Sequence, residues 1–413
     1  MPIPKTRPPH VDKLRMITLL PSPAKILEKI ILKSQIRHLK ILFGQHQHAY
    51  RENGSTTTAL IEIVDALTSF YDDKAVACIG LLSLDFSKAF DQVDHRTLLG
   101  KMQKLPALAG FTKWLRNYLT GRHVTVRVDG KFSAMFYLKA GVPQGSILGP
   151  SLFSVLVGDF PKSREENIAI QYADDVNIIL PFMERSPETI TRITNQQLTQ
   201  VEQWCSENHQ LLNVDKTKMM LVVRRPLEGE ISLPVRRENC VKVLGVHLSD
   251  KLDWKAHISE VTKRASQRLH IIRTLRPHTT SIELHEIYNG LIGSLLEYCC
   301  PVFPKLPDNL RGLIKKVEKR AHRIMFGSTT NVCKCPMDGF QTRQQDLSLK
   351  LFIKALNNTQ HTLNKKMPNQ LPRSGHLCNF VCRTNKRQNS FFPYMTLMYN
   401  LNCRPNSSKP VLH

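Results

Sequence analysis

The spacing of apolar and polar positions separates a strand-forming middle of the chain from helical segments on both sides. Residues 78–84 form a mostly apolar run of buried-strand length, and two β-prone runs of the kind found in half-buried strands, 168–171 and 176–180, flank a tight turn. Other segments place their apolar residues on one helical face, namely 23–40, 57–71, 187–210, 255–276, 281–300 and 308–327. This pattern predicts a hairpin around residue 174, a buried strand before residue 85, and a helical bundle after residue 255.

Local signals predict how two further elements begin or turn. Asp94 precedes a short helical run, and its carboxylate is of the type that caps a helix N-terminus. Asp129-Gly130 divides two runs with alternating apolar and polar residues between positions 122 and 139, which indicates a β-hairpin. Asp94 is therefore predicted to cap a helix and not to act in catalysis.

The strongly basic composition indicates a polyanionic partner. The chain has 58 Lys and Arg against 34 Asp and Glu, a formal net charge of +24. Such residues gain affinity for nucleic acid by releasing counterions from phosphates. The excess is largest late in the chain, where residues 341–413 contain eleven basic residues and one acid. The alternative is that the charge only maintains solubility.

The predicted helix at 255–276 has a basic outer face. Its apolar stripe comprises Ile258, Val261, Ala265, Leu269 and Ile272. The basic residues Lys263, Arg264 and Arg268 lie elsewhere on the helix, where they would contact either phosphates or only solvent.

Apolar runs and cysteines narrow the class of protein. The sequence contains no uninterrupted run of 18 or more apolar residues, so no membrane span is predicted. The first ten residues lack the apolar core of a signal peptide. The ten cysteines are scattered, which favours a reducing compartment over a disulfide framework. A zinc site at Cys333, Cys335, Cys378 and Cys382 is an alternative, but the spacing does not match the usual patterns and free thiols are favoured.

Three carboxylates lie where the predicted strands end. Asp174 and Asp175 occupy the tip of the predicted hairpin, and Asp85 follows the apolar run 78–84. Carboxylates in apolar surroundings are costly unless a cation neutralises them, and Mg²⁺ prefers such hard oxygen ligands. A solvated Asp-Asp turn, with Asp85 as a helix cap or solvated strand end, is the alternative.

Five blocks in order resemble the palm of a reverse transcriptase, most closely that of the non-LTR (LINE-type) retrotransposon enzymes. The blocks are Leu84–Asp91 (LDFSKAFD), Ala140–Pro150 (AGVPQGSILGP), Tyr172–Asp175 (YADD), Leu211–Lys218 (LLNVDKTK) and Val243–Ile258, which contains LGVHLSDKLDWKAHI. Segments 17–29 and 50–56 are similar to the fingers of that family, and 383–393 is similar to its common tail. The resemblance is close over roughly residues 1–260 and weaker to about residue 400.

The resemblance implies an α+β right-hand polymerase of fingers, palm and thumb, with an antiparallel palm sheet. The fingers would comprise 1–79, truncated at their N-terminus, and 94–140 would return to them. The palm would comprise 80–93 and 141–249, the helical thumb 250–330, and a basic C-terminal region 331–413. The residues after 330 contain only Asp338 and Asp346 as acids, so no ribonuclease H site is predicted there.

The resemblance also implies roles for single residues. Asp85, Asp174 and Asp175 would hold two Mg²⁺ ions, replaceable by Mn²⁺, and the backbone carbonyl of Phe86 would contact one of them. The first two blocks would supply Phe90 as a steric gate against ribonucleotides and Gln144 as a contact to the incoming nucleotide. Core packing is the alternative for Phe90.

Further implied residues lie in the segment 50–56 and in the fourth and fifth blocks. Arg51 would bind the triphosphate, with a surface arginine as the alternative. Lys216 would donate a proton to pyrophosphate, with a solvated loop lysine as the alternative. The hairpin Leu244-Gly245-Val246 would hold the primer end.

The function implied is RNA-directed DNA polymerisation with an RNA template, a DNA primer and dNTPs. We expect the chain to be a fragment or 5′-truncated copy of a polyprotein that also carries an endonuclease domain. Target-primed synthesis would place it in the nucleus, with a cytoplasmic ribonucleoprotein as a further location. The alternatives are a group II intron maturase-like or telomerase-like protein, and a decayed element that only binds RNA.

Overall fold

The computed structural model describes residues 2–4, 14–227, 229–327, 339–372 and 375–402. Short strands open the described part, and their bounds are β1 (Pro2–Pro4) and β2 (Leu14–Met16). The strands of the central part are β3 (Cys78–Leu84), β8 (Ile168–Tyr172), β9 (Asp175–Phe182), β10 (Lys218–Val223) and β11 (Arg236–Arg237). These five form one sheet in the order β11-β10-β3-β9-β8, antiparallel except for β10 with β11.

Smaller ladders flank this sheet. They are built from β4 (His123–Val124), β5 (Arg127–Val128), β6 (Lys131–Phe132), β7 (Phe136–Tyr137), β12 (Cys240–Val243) and β13 (Val246–Ser249). The predicted hairpin is confirmed, because β5 pairs with β6 across Asp129 and Gly130, both in the left-handed region. The pair β12–β13 forms a second hairpin.

Both faces of the central sheet are buried, and alternation along each strand assigns side chains to the two faces. In β3, Ile79 and Leu81 join one hydrophobic core, whereas Leu82 and Leu84 join the other. All residues of β9 after Asp175 are buried. The expectation of a half-buried strand at 176–180 is therefore wrong, because helices cover the sheet on both sides and leave no solvated face.

The helices agree with the predicted amphipathic segments except at 281–300, where a π-helical stretch, Asn289–Gly293, separates two helices and the second ends at Glu297. Their bounds are α1 (Ser22–Leu42), α2 (Thr56–Asp72), α3 (His95–Gln103), α4 (Ala109–Leu119), α5 (Gly149–Leu156), α6 (Pro187–Glu207), α7 (Lys255–Leu275), α8 (Ser281–Tyr288), α9 (Ser294–Glu297), α10 (Asp308–Phe326), α11 (Phe340–Asn357), α12 (Asn385–Gln388) and α13 (Phe391–Asn402). The carboxylate of Asp94 accepts a hydrogen bond of 2.7 Å from the backbone N–H of Thr97, so its predicted capping role is confirmed. The apolar stripe of α7 is buried along its whole length.

Two cores divide the molecule. Helices α3 to α6 pack on one face of the sheet, and α2 packs on the other face together with α7 to α11 and α13. Phe352, Phe391 and Phe392 are almost fully buried in the second of these cores. The C-terminal residues that the structure describes are therefore a folded part of the protein, in contact with α2, and not only a basic tail.

Candidate active site

The backbone of Asp85 is fixed where the central strand ends. Asp85 directly follows β3, and its carbonyl accepts a hydrogen bond from the N–H of Asn213 (2.8 Å). Two residues later, the N–H of Ser87 donates to the carbonyl of Leu211 (2.9 Å). The fourth sequence block is thus hydrogen-bonded to the first, which holds Asp85 in place at the end of β3.

Asp174 lies in a two-residue turn. Tyr172 pairs with Asp175 as the last pair of the β8–β9 ladder, so Ala173 and Asp174 form the turn between them. Ala173 has a φ of 57°, in the left-handed region that residues other than glycine rarely adopt. The predicted hairpin is confirmed, and its turn is conformationally costly.

The sheet register brings the three carboxylates to one end of the central strands. Leu84 is paired with Val176, so Asp85 and Asp175 come next on the two strands. Burial and the negative charges of Asp174 and Asp85 raise the pKa of Asp175 from 3.8 to about 6. The protein therefore concentrates negative charge here.

These carboxylates fit a hard divalent cation as ligands, since their mutual repulsion is relieved when a cation binds between them. Among the residues that the structure describes, no group of three or more His, Cys, Asp or Glu is arranged to hold an ion. Mg²⁺ often takes only one or two protein carboxylates and completes its shell with water and substrate phosphates. The donor set therefore suits an ion shared with a phosphate substrate.

Lys216 is brought to the carboxylates by a tight turn. The N–H groups of Lys216 and Thr217 both donate to the carbonyl of Asn213, at 3.2 and 2.9 Å. The Nζ atom of Lys216 lies 3.3 Å from Oδ2 of Asp85. Because the lysine side chain is two-thirds exposed, this ion pair contributes little to stability.

Phe90 and Gln144 lie on segments that contact each other. The N–H of Val142 donates to the carbonyl of Phe90 (3.0 Å), and Nε2 of Gln144 donates to Oδ1 of Asp91 (2.7 Å). The ring of Phe90 stacks on Phe153 with centroids 4.3 Å apart. Phe90 is half-buried, so its geometry is compatible with both a steric gate and core packing.

An open cavity of about 830 Å³ adjoins Gln144. Residues 17–20, the hairpin between 122 and 138, and the loop 140–144 line it. Gly145 has a φ of 111°, and a Cβ there would lie 2.9 Å from the carbonyl oxygen of Thr18. Glycine is therefore required for the close contact between this loop and the segment that lines the cavity.

The side chains of Arg51 and Phe86 both contact other residues of the chain. Nη2 of Arg51 donates to the carbonyls of Phe43 (3.0 Å) and Gly44 (2.7 Å), just after α1. Burial lowers the pKa of Arg51. The ring of Phe86 packs edge-on against Trp204, with centroids 6.3 Å apart. The roles of the Arg51 guanidinium and the Phe86 carbonyl in substrate binding stay predictions.

The hairpin expected to hold the primer is supported by a residue of the helical bundle. Leu244 and Gly245 form its turn, both in the left-handed region. The hydroxyl of Tyr298 donates to the carbonyl of Leu244 (2.9 Å), and a Cβ on Gly245 would lie 3.2 Å from the tyrosine ring. The turn is thus held against the bundle.

The basic residues divide into exposed and internal groups. Lys263 and Arg264 of α7 are exposed, whereas Nη1 of Arg268 donates to the carbonyl of Leu291. Arg387 is buried and binds the carboxylate of Asp65 on α2. Part of the positive charge therefore stabilises the fold and is not presented to a partner.

Sequence reasoning missed Gln47, which is 1% exposed and contacts the turn that carries Asp174. A glutamine among other polar residues gives no signal of burial, and its contact spans 126 positions of sequence.

The cysteines that were predicted to be free thiols fall in two groups. Cys378 and Cys382 are free cysteines, whereas Cys333 and Cys335 lie outside the described residues. In the described part of the chain, no helix is both long and apolar enough to span a bilayer.

Comparison with protein families gives a match over residues 3–248 to the family described as reverse transcriptase (RNA-dependent DNA polymerase). The match covers more than half of the chain and ends at Leu248, within β13. It contains all the candidate site residues named above. Enzymes of that family depend on divalent metal ions in general.

Similar curated proteins are polymerases of Drosophila melanogaster mobile elements. The probable RNA-directed DNA polymerase from transposon BS is 28% identical over 333 residues, covering 76% of this chain and 36% of that protein. The RNA-directed DNA polymerase from mobile element jockey is 28% identical over 342 residues, covering 78% and 36%. This chain thus spans about a third of the length of these relatives.

Solved structures with similarity include telomerases from two Candida species. Apo telomerase from Candida tropicalis has a TM-score of 0.45 at 12% identity, covering 83% of this chain and 55% of that chain. Telomerase from Candida albicans, in complex with a fragment of telomeric RNA, has a TM-score of 0.41 at 11% identity, covering 81% and 52%.

Proposed function

This chain belongs to the reverse transcriptase (RNA-dependent DNA polymerase) family, and from that premise we propose that it synthesises DNA on an RNA template as the polymerase of a non-LTR (LINE-type) retrotransposon. The observation that carries the proposal is the convergence of Asp85, Asp174 and Asp175 at one end of the palm sheet. Burial, together with the charges of Asp174 and Asp85, raises the pKa of Asp175, and such crowding of carboxylates is expected of a site that binds cations.

In the proposed mechanism these three carboxylates, with the backbone carbonyl of Phe86, would hold two Mg²⁺ ions, for which Mn²⁺ could substitute. When bound, the ions would activate the primer 3′-hydroxyl and neutralise the leaving pyrophosphate. The carboxylates supply the negative charge that holds the ions. Lys216, whose Nζ is 3.3 Å from Asp85, is the proposed proton donor to pyrophosphate.

We assign substrate selection to the two contacting segments that carry Phe90 and Gln144, and to Arg51. Gln144 would lie against the incoming nucleotide, and Arg51 would bind the triphosphate after exchanging its present backbone acceptors for phosphate oxygens. Phe90 would exclude a 2′-hydroxyl. Replacement of Phe90 with alanine should then raise incorporation of ribonucleotides, whereas reduced stability with unchanged selectivity would support core packing.

The proposed partners are an RNA template, a DNA primer and dNTPs. The full-length protein is proposed to carry an endonuclease domain, with synthesis primed at the target site in the nucleus. The exposed basic residues of α7 support the nucleic-acid partners, because cations on an exposed helix face suit contacts with phosphates.

Primer extension by the 413-residue chain tests the proposal. With an RNA template, a DNA primer, dNTPs and Mg²⁺, the wild-type chain should extend the primer. Asp174→Asn should reduce the rate by several orders of magnitude while circular dichroism shows an unchanged fold. Asp73→Asn serves as the control, because Asp73 is exposed and asparagine keeps the acceptor for Ala75. Extension by Asp174→Asn at the wild-type rate would refute the assignment.

A further inference from the structure

The turn that carries Asp174 needs support from outside the hairpin. Ala173 has a φ of 57°, a conformation that L-alanine rarely adopts by itself. The strand before it, β8, is at the edge of the palm sheet, so only β9 supports it within the sheet. A change in the conformation of Ala173 would redirect the carboxylates of both neighbouring aspartates.

The side-chain amide of Gln47 binds both backbone polar groups of Ala173. Its Oε1 accepts a hydrogen bond from the N–H of Ala173 (3.0 Å), and its Nε2 donates to the carbonyl of Ala173 (3.3 Å). Oε1 also accepts from the N–H of Ala49 (3.0 Å), which fixes the orientation of the amide. Because Gln47 is buried, water does not compete strongly for these groups.

The segment that carries Gln47 is itself attached to the edge of the sheet. The N–H of His48 donates to the carbonyl of Gln171 (2.9 Å), and the N–H of Gln171 donates to the carbonyl of His46 (3.0 Å). These bonds form a parallel bridge on the outer side of β8. Gln47 therefore cannot move away from the turn without breaking them.

Helix α2 anchors this segment from behind. Oε1 of Glu62 lies 2.7 Å from Nδ1 of His46, and Oε2 lies 2.5 Å from Nε2 of His48. The other ring nitrogen of His48 lies 2.9 Å from the hydroxyl of Thr58. A continuous set of contacts thus connects a buried helix to Ala173.

We propose that Gln47 is a positioning residue that holds Ala173 in its left-handed conformation and thereby directs Asp174 and Asp175 toward the shared cation site. The part of this inference that concerns cations and catalysis rests on the proposed function. The part that concerns the conformation of the turn does not. The amide of Gln47 binds the backbone N–H and carbonyl of Ala173, so its effect on the two aspartates passes through that backbone.

Three variants of the 413-residue chain test this role. Gln47→Met has a similar volume and makes none of the hydrogen bonds, and Gln47→Glu keeps an acceptor but loses the donor to the carbonyl of Ala173. Gln197→Met is the matched control. Gln197 is equally buried and accepts from the N–H of Ser163 (2.9 Å), but it holds the loop 161–167.

Amide hydrogen exchange at residues 172–175 reports how readily the turn opens. Gln47→Met should lose at least tenfold in protection there, Gln47→Glu should also lose protection, and Gln197→Met should not. Mn²⁺ binding by electron paramagnetic resonance should weaken about tenfold in both Gln47 variants. In primer extension, the kcat of both Gln47 variants should fall roughly a hundredfold, and their KM for dNTP should change less than threefold. Misdirected ligands impair the reaction more than they impair substrate binding.

The outcomes separate the two proposals. Unchanged exchange in a folded Gln47→Met or Gln47→Glu chain, or equal loss in Gln197→Met, would overturn the positioning role. If Gln47→Met does not fold, the Gln47→Glu result alone decides. A wild-type chain that neither binds Mn²⁺ nor extends primers would overturn the proposed function, while the exchange result would still support or overturn the role of Gln47 in the turn.

Discussion

Two sets of carboxylates in this molecule differ in how far other groups of the chain compensate their charge. The helix set is on α2 and comprises Glu62, Asp65 and Asp72, and the strand-end set comprises Asp85, Asp174 and Asp175. Partners within the chain compensate each member of the helix set. In the strand-end set, Lys216 contacts Asp85, yet burial and the charges of the other two carboxylates still raise the pKa of Asp175. The difference separates carboxylates that stabilise the fold from carboxylates that suit an external cation.

Cationic side chains and backbone N–H groups compensate the charges of the helix set. Asp65 binds Arg387 and Lys366, the latter at 2.8 Å. Burial alone would raise the pKa of Asp72, but hydrogen bonds from the backbone N–H groups of Arg383 and Thr384 lower it. These contacts attach the C-terminal region to α2.

The two sets should respond to pH in opposite directions. Asp72 has a lowered pKa, so its stabilising contribution is present above its ordinary pKa and is lost as the pH falls through the folded value. Asp175 has a raised pKa, so the cost of burying its charge and its repulsion by the other two carboxylates are relieved in the metal-free fold as the pH falls below about 6. Acid therefore weakens the attachment of the C-terminal region and relaxes the candidate site.

The largest expected effect comes from removing one charge from the strand-end set. Asp175→Asn should reduce primer extension by roughly three orders of magnitude or more, because a proposed metal ligand would be lost. Its thermal unfolding temperature, measured without metal at pH 8, should equal or exceed that of the wild type, because repulsion is removed. A large loss of stability with retained activity would abolish the distinction between the two sets.

The converse change breaks the helix set. Arg387→Met leaves the buried carboxylate of Asp65 with only Lys366, and we expect a loss of about 3 kcal/mol in the free energy of unfolding. Urea unfolding measures this loss, with Lys350→Met, an exposed cation on α11, as the control. Activity per folded molecule should stay within about twofold. An unchanged stability would mean that the ion pair does not hold the C-terminal region.

The pH dependence of cation binding sharpens the comparison further. Because protonation of Asp175 competes with the cation, Mn²⁺ affinity should fall roughly tenfold for each pH unit below about 6. Titrations at pH 5, 6, 7 and 8 by electron paramagnetic resonance measure it. Asp73→Asn should follow the wild-type curve. Equal affinity at pH 5 and pH 8 would show that the raised pKa of Asp175 does not govern the site.

The smallest effect concerns the basic residues that are not used internally. Reversing Lys263 and Arg264 together should reduce the slope of log K against log salt for RNA–DNA duplex binding by roughly 1.8, or two phosphate contacts. Arg268 is left intact because it donates to the carbonyl of Leu291. Reversal of Lys25 and Lys29, exposed on α1, is the control. An unchanged slope in the α7 variant would mean that this face contacts only solvent.

Much of the architecture could be predicted because its signals are local. The length of the run 78–84, the stripe of α7 and the caps and turns at Asp94 and Asp129-Gly130 depend on residues within a few positions of each other. The order of the five blocks added the identity of the palm and the three carboxylates. Those carboxylates were recognisable because aspartates at apolar strand ends are costly without a function.

The exposure of β9 could not be predicted, because alternation shows which side chains share a face but not whether another layer covers that face. The internal use of Arg387 was equally hidden, since a basic residue in a basic segment has the same local pattern whether it binds phosphate or Asp65. Arg51 presents the same ambiguity, with two backbone carbonyls as its present acceptors.

The sequence by itself therefore determined the helices and strands, the candidate carboxylates and the class of chemistry. Periodicity, turn residues and charge are local properties that can be read from short segments of the chain. Only the tertiary structure decided which charges are neutralised and what holds the turn at Ala173. Asp65 and Arg387 are 322 residues apart, and Gln47 and Ala173 are 126 apart. Contacts over such separations depend on how the helices and the sheet pack, and no local pattern of residues specifies them.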